Sequence, residues 1–278
     1  MSERCDLTAR ETHFAFGSNW ASYAKLVTEP QVEEAVKGLQ RLAGGSLDGK
    51  RLIDIGCGSG LHSLAALRLG AAEVMAVDVD PKSVSTTVAM LKSRASEKCW
   101  RVVEASVFDL DREVLGTFDV VYSWGVLHHT GDMILAMRKA AALVKPGGMF
   151  IFALYRRTKL CGFWKREKRW YSRAGRVGQA AARGSFILLL RMKFARHGLS
   201  FREHVTQYKG NRGMDFYHDI HDWLGGWPYE SISPDEVHSL MRALEMKEIR
   251  EFAAPYVPMG MFGSGCDEYV YTPMRQVE

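Results

Sequence analysis

Apolar residues recur at Val32, Ala35, Val36, Leu39 and Leu42, the spacing of one helix face, over residues 30–43, and the pattern stops at Gly44-Gly45. Arg51–Ile55 is a short β-rich run halted by a glycine cluster. Ser59–Leu69 returns to helical spacing and ends at Gly70, and Glu73–Val77 is a second apolar run of strand length. Asp80-Pro81 reads as a helix start, with a carboxylate at the N-cap and proline at the first helical position. Further strands are predicted at Arg101–Glu104, Phe118–Ser123 and Met149–Leu154, with a helix over about Asp132–Val144 closed by Lys145-Pro146-Gly147-Gly148. Strands alternating with helices imply a parallel sheet covered on both faces, with ligands at the carboxyl ends of its strands.

That rhythm stops from Tyr155 to about Ile232, a basic, aromatic-rich stretch with an amphipathic portion around Phe186–Phe194. It resumes at Ser233-Pro234-Asp235-Glu236, which has the form of a capping box, and continues through a helix face at Val237, Leu240, Met241 and Leu244. Two last strands are predicted around Glu245–Phe252 and Asp267–Tyr271. The expected organisation is an N-terminal helical lid (1–47), an α/β core (48–155), a basic helical insertion forming a substrate wall (156–232) and a C-terminal helix and strands (233–278).

Composition narrows the class. With 278 residues, 47% of them apolar, the chain is long enough for one α/β domain plus an accessory element and too apolar for a disordered protein. The polar stretch Met1–Phe14 does not read as a secretory leader, and purely apolar runs such as Phe186–Leu190 are far below the ~20 residues that span a bilayer. The cysteines, Cys5, Cys57, Cys99, Cys161 and Cys266, are scattered and lack CxxC spacing, which points to a reducing cytoplasm rather than a disulfide framework or a zinc site. The net charge of +5 conceals an asymmetry: from Arg156 to Arg212, sixteen Lys/Arg accompany two acidic residues, Glu167 and Glu203. Such a block forms a solvated face, or it attracts an anionic substrate, a membrane surface or nucleic acid.

The run Asp54-Ile55-Gly56-Cys57-Gly58-Ser59-Gly60 sits at a strand-to-helix turn, where glycines let the backbone approach a ligand. Gly60 comes one residue early for a dinucleotide fingerprint, and no Gly-Lys-Ser/Thr follows for a P-loop. Asp54 would repel a pyrophosphate and welcome a cationic amino-acid moiety. Asp78, 22 residues after Gly56, stands where a carboxylate accepts both hydroxyls of a ribose, although a lone aspartate there is also an ordinary turn or cap residue.

Together with Val77-Asp78-Val79-Asp80, Phe118–His129 and Leu143–Gly148, this run resembles the successive motifs of class I S-adenosylmethionine-dependent methyltransferases over about residues 50–155. The resemblance implies a Rossmann-like α/β fold: a seven-stranded, mostly parallel sheet with helices on both faces, here with a helical insertion before the last helix and strands. It implies S-adenosylmethionine as cofactor, with Asp54, Gly56 and Gly58 at the methionine end and Asp78 and Val79 at the ribose. Ser106 and Val107 would flank the adenine, Ser106 replacing an aspartate common in the family, and Ser123, Trp124 and Gly125 would close the pocket beneath the sulfonium. Phe16, Asn19, Trp20 and Tyr23 fold over the cofactor or belong to the core.

Methyl transfer from a sulfonium is an in-line displacement, so the protein has mainly to align the acceptor and exclude water; a hydroxyl acceptor is helped by a base, usually histidine. His128 and His129 follow the fourth strand. In related methyltransferases the second is the more regular, which implies a structural His129 and leaves His128 as the candidate base. Arg212–Glu230 packs two histidines, three aspartates, aromatics and a Gly-Gly turn into nineteen residues, as a structural loop or as a substrate wall. On a helix, His218 lies one turn from His221 and Asp222, which suits a base oriented by a carboxylate, or a divalent metal. No other ligand cluster is evident and no metal is assigned. Residues 205–230 also resemble a segment of bacterial methyltransferases associated with quinone rings.

The catalytic expectation therefore falls on His128, His218, His221 and Asp222, and the substrate-binding one on Arg212, Trp227, Tyr229 and Glu230, with Arg212 available for an anionic group. The expected function is methyl transfer to a metabolite, sugar or quinone-like ring, at oxygen rather than nitrogen, with no nucleic-acid partner and no stable membrane insertion. The basic block fits a nucleic-acid (RNA) methyltransferase, but the fourth motif reads Ser-Trp-Gly-Val rather than Asp/Asn-Pro-Pro-Tyr/Phe, and no Pro-Cys pair or RNA-binding module is present. A non-catalytic cofactor-binding protein is the remaining alternative.

Overall fold

The computed structural model describes residues 14–96, 99–212, 215–255, 259–263 and 265–274, the side chains of residues 209–212 excepted. Helices α1 (Phe16–Ala24) and α2 (Glu29–Ala43) precede β1 (Arg51–Ile55), α3 (Leu61–Arg68), β2 (Glu73–Asp78), α4 (Pro81–Arg94) and β3 (Trp100–Glu104). Then come the short α5 (Arg112–Leu115), β4 (Phe118–Trp124), α6 (Met133–Ala141) and β5 (Val144–Tyr155). Four helices follow without a strand: α7 (Cys161–Arg173), α8 (Arg176–Arg196), α9 (Phe201–Arg212) and α10 (Phe216–Gly225). The chain closes with α11 (Pro234–Ala243), β6 (Met246–Phe252) and β7 (Cys266–Pro273).

The strands form one sheet in the order β3-β2-β1-β4-β5-β7-β6, parallel except for β7, which runs against both neighbours. This is the Rossmann-like fold of class I methyltransferases. The order reverses between β1 and β4, the topological switch point at which such sheets open a crevice for a ligand. Period-two alternation splits the core between the faces. Ile53, Met75, Val121, Phe150 and Tyr271 pack on one side with α6 and α11, while Leu52, Val74, Val120, Ile151 and Val270 pack on the other with α2 and α3.

The helix starts follow their sequence signals. The Asp80 carboxylate accepts from the Lys82 amide at 2.8 Å ahead of α4, and Ser233 and Glu236 close a reciprocal box at α11; each such cap contributes about 1 kcal/mol. The widest departure from the expected boundaries lies between α6 and β5. The helix expected to reach Val144 ends at Ala141, and β5 begins at Val144 rather than Met149. The Phe118 amide donates to Leu143 O at 2.8 Å and so draws this segment into the sheet. The Gly147-Gly148 pair accommodates the irregular register, since a Cβ at Gly148 would lie 2.8 Å from Asp119 O.

The helical segment has its own aromatic core, Trp164, Tyr171, Tyr208, Phe216, Ile220, Leu224 and Tyr229, to which Phe14 contributes from before α1. Among the described residues, no helix is long and apolar enough to cross a membrane.

Candidate active site

The glycine run leaves β1 in a turn tied to β2, with the amides of Gly56 and Cys57 both donating to Val77 O, at 2.7 and 3.0 Å. Gly56 has φ +81°, and a Cβ there would fall 2.5 Å from the Val126 side chain, so two loops from different strands meet because the side chain is missing. At the end of β2, Asp78 accepts from the Gly58 amide and from the Asp80 amide, each at 2.9 Å. Burial pushes its carboxyl up to about 6. Asp54 is buried and accepts from Ser63 Oγ at 2.6 Å; burial pushes it up to about 7. Val79 is half-buried beside Asp78.

Helix α1 lies over this turn. The Gly17 amide donates to Asp80 at 3.0 Å, an approach that a Cβ at Gly17 would block, at 2.4 Å from the same carboxylate. The Trp20 indole covers Gly58, where a Cβ would meet the ring at 3.2 Å. Two carboxylates, a glycine turn free of side chains and an aromatic cover suit an aminoacyl nucleoside: carboxylate for ribose hydroxyls, bare backbone for close approach and the indole for an apolar face.

The other expected cofactor residues are engaged within the fold. Ser106 Oγ accepts from the Phe108 amide at 3.3 Å, and Val107 packs in the core. Ser123 Oγ donates to Ile55 O at 3.0 Å and so joins β4 to β1. Trp124 Nε1 donates to Glu268 at 2.8 Å while its ring stacks on His62. Gly125, at φ +74°, has open space where a side chain would be.

Past β4 the chain turns at Leu127–His129. His129 Nδ1 contacts Pro228 O at 2.7 Å and the Glu230 amide donates to His128 O at 3.0 Å, so this turn is laced to the segment after α10. Glu230 itself caps α6, accepting from the Met133 amide at 2.9 Å. His128 is fully buried, and neither ring nitrogen has a hydrogen-bond partner. Its ring lies 4.0 Å from that of Tyr155 and 4.3 Å from that of His129. Burial, reinforced by His129 and Lys168, holds it neutral, well below the ordinary histidine value.

Tyr155, at the end of β5, also touches Trp223 and Tyr229, with ring centroids 5.0 and 5.5 Å away. Lys168 of α7 reaches into the same group: buried, it donates to Trp223 O and lies 3.5 Å above the Trp223 ring. Burial lowers its ammonium, and burial raises the neighbouring Glu167, whose carboxylate oxygens have no hydrogen-bond partner. Asp222 accepts from Asn19 Nδ2 at 3.3 Å; burial, then the Asp219 carboxylate, pushes it up to about 7. Beside Tyr229 and Glu230 opens a cavity of about 660 Å³, lined also by Met133, Cys161, Lys165 and Ile232.

The sequence-derived acceptor residues are thus gathered unequally. His128, Tyr229 and Asp222 surround the Tyr155–Trp223–Lys168 group. Trp227 stands at its margin under Arg169, 5.7 Å from the guanidinium. His218 and His221 do not share a partner as their spacing suggested. His218 contacts Asp215 at 2.8 Å and Ser22 at 3.0 Å, because Asp215 caps α10 and sits one turn before it. His221 instead meets Tyr171 at 2.6 Å and Arg183 at 3.2 Å; burial pushes it down to about 4. The Arg212 side chain lies outside the described residues. Lys168 and Tyr155 were not singled out from the sequence. For Lys168 the available signal was its place on the buried stripe Trp164, Lys168, Tyr171, where a charge is out of pattern.

The known proteins that this chain resembles are methyltransferases. A sequence family described as "Methyltransferase domain" matches residues 27–249. The chain is 41% identical over 113 residues to a ubiquinone biosynthesis O-methyltransferase of Xanthomonas campestris pv. campestris, a match that takes in 41% of this chain and 46% of the relative, so less than half of the relative's length is spanned. Among solved structures, magnesium protoporphyrin IX methyltransferase from Synechocystis with bound SAH is similar at TM-score 0.52 and 15% identity, over 87% of this chain and 82% of that one. An O-methyltransferase family protein from Burkholderia thailandensis is similar at TM-score 0.54 and 14% identity, over 93% and 59%.

Proposed function

The chain belongs to the methyltransferase-domain family as an S-adenosylmethionine-dependent class I enzyme, and from that premise we propose that it methylates a hydroxyl group of a small molecule with a planar, ring-like body. The observation that carries this reading is His128, a buried neutral imidazole with both nitrogens unsatisfied at the carboxyl end of β4. A buried polar group without a partner costs about 1–3 kcal/mol, and a substrate hydroxyl would relieve that cost. The O-methyltransferase relatives, similar over 113 residues, support the same acceptor chemistry.

Bound S-adenosylmethionine supplies an electrophilic methyl group on a sulfonium. Asp78 would hold the ribose hydroxyls, Asp54 and the Gly56–Gly58 backbone the methionine end, and Trp20 would shield the cofactor from water. On the acceptor side, Tyr229 links the packed rings of Tyr155 and Trp223 to the cavity it lines, an aromatic wall that suits a ring. His128 is neutral at physiological pH and so has a nitrogen lone pair for the hydroxyl proton. That proton becomes strongly acidic as the oxygen forms its new bond, which lets a weak base suffice. Lys168 offers N–H donors that favour an acceptor approaching its oxyanion form, and Lys165 at the cavity rim suits an anionic substituent. We assign the activity to the cytoplasm, where thiols such as those of Cys57, Cys99 and Cys161 stay reduced.

The test is product chemistry. The enzyme is incubated with the cofactor and a panel pairing hydroxylated rings with their amino analogues, and products are read by mass spectrometry and NMR. Methyl ethers are expected; methylation confined to the amines would overturn the proposal.

A further inference from the structure

Helix α8 is apolar on two sides. Its inner side, Ala182, Phe186, Ile187 and Leu190, packs on the aromatic core of the helical segment. Its outer side carries Val177, Ala181, Gly184, Leu188 and Met192 at steps of four, three, four and four residues, a continuous row one helix face wide. All five are exposed, Val177 by 85%, Leu188 by 58% and Met192 by 59% of their surfaces. A helix that is apolar all round is ordinarily covered all round. This one has no fully buried residue over its 21 positions.

The surroundings of the row indicate what covers it. From Lys168 to Arg202 there are nine Lys/Arg and no acidic residue. Arg191 and Arg196 flank the row at its C-terminal end, and Arg173 and Arg176 lie at its start. Next to that start, Arg166, Arg169, Trp170 and Arg173 line a groove of about 380 Å³. The Trp170 ring stands 3.8 Å from where a Cβ of Gly178 would lie, so groove and helix share one surface. Guanidinium groups beside an exposed indole suit phosphate at the depth where acyl chains begin. A second copy of this chain would oppose the same cations to themselves across a twofold interface. Nucleic acid would leave the Leu and Met row uncovered.

We propose that the outer face of α8, with the Arg/Trp groove of α7, docks the enzyme on the surface of a bilayer containing anionic phospholipid. The helix would lie in the interfacial plane, its apolar row in the headgroup–acyl boundary and the cations flanking that row among the phosphates. Its five Lys/Arg, at 176, 183, 191, 193 and 196, keep it at the surface rather than across the membrane. Neither the acceptor's identity nor the role of His128 enters this inference.

Co-sedimentation of the full chain with phosphatidylcholine vesicles, with and without about one-third phosphatidylglycerol, tests it. Binding is expected only to the anionic vesicles and is expected to fall as salt rises. The double variant Leu188→Glu/Met192→Glu should weaken partitioning by about tenfold or more, and Arg166→Gln/Arg173→Gln should weaken it independently. Both should keep the wild-type circular dichroism and S-adenosylmethionine affinity, which separates a docking defect from misfolding and from failure of the methyltransferase site. Equal binding to neutral vesicles, binding unchanged by Leu188→Glu/Met192→Glu, or a dimer in light scattering that this variant dissolves would each overturn the proposal.

Discussion

Replacing His128 with leucine should stabilise the protein and nearly abolish its activity, a combination that a purely structural histidine would not show. The two ring nitrogens are buried without partners. Leaving polar atoms unsatisfied costs about 1–3 kcal/mol, whereas the packing of the imidazole against the rings of Tyr155 and His129 is worth about 1 kcal/mol. Leucine has similar volume, so the exchange should add about 1 kcal/mol net near neutral pH, raising Tm by about 3 °C for a chain of this size. The pH dependence follows from the depressed pKa. Folding disfavours protonation of His128, so its contribution is fully present above its ordinary value of 6.5 and is lost as pH falls from there toward the folded-state value. The leucine variant has no such group, so its advantage should widen by about 1.4 kcal/mol for each pH unit through that window. Differential scanning calorimetry of the two proteins at matched pH measures both effects. Turnover should drop by about 10²–10⁴ with cofactor affinity retained. A variant less stable than wild type at pH 7, or one turning over within a factor of about two, would refute the role given to His128.

Asp78→Ala should weaken S-adenosylmethionine binding by more than about tenfold in calorimetry, since it removes the acceptor expected for the ribose as well as that of the Gly58 and Asp80 amides. In the wild type, affinity should fall as pH drops below about 6, where the Asp78 carboxyl takes up its proton; a flat profile down to pH 5 would mean that the charged form is not used. Gly56→Ala should prevent cofactor binding, because its methyl would fall 2.5 Å from Val126 at a positive φ; the added substitution Val126→Ala should recover part of the affinity, and an unaffected single variant would count against the close packing of the two loops. Glu230→Gln should lower stability by about 1 kcal/mol in denaturant unfolding through a weaker cap on α6.

The sheet was legible because its information is local. Each strand–turn–helix unit of residues 50–155 carries its own signal, from the β-rich run at Arg51–Ile55 to the cap at Asp80-Pro81, and a parallel sheet with right-handed crossovers then has little freedom left. The clustering of Asp54, the glycines and Asp78 was readable for the same reason: they lie within 25 residues of one another, at the ends of two neighbouring strands. The acceptor side works differently. What gathers there comes from the end of β5, the turn after β4, α7 and α10, and the side chains meet only when a helical segment with its own aromatic core folds down upon the sheet. Spacing therefore misdirected the pairing of His218 with His221, since Asp215 one turn earlier offered a partner at no cost in chain entropy. Lys168 shows the limit most sharply. On its helix it is one more cation in a basic block, and only the Trp223 carbonyl and ring, 55 residues on, turn it into a buried amine beside the candidate base. Charge on an apolar stripe is the one local trace such a residue leaves, because a buried cation needs tertiary partners to offset its desolvation.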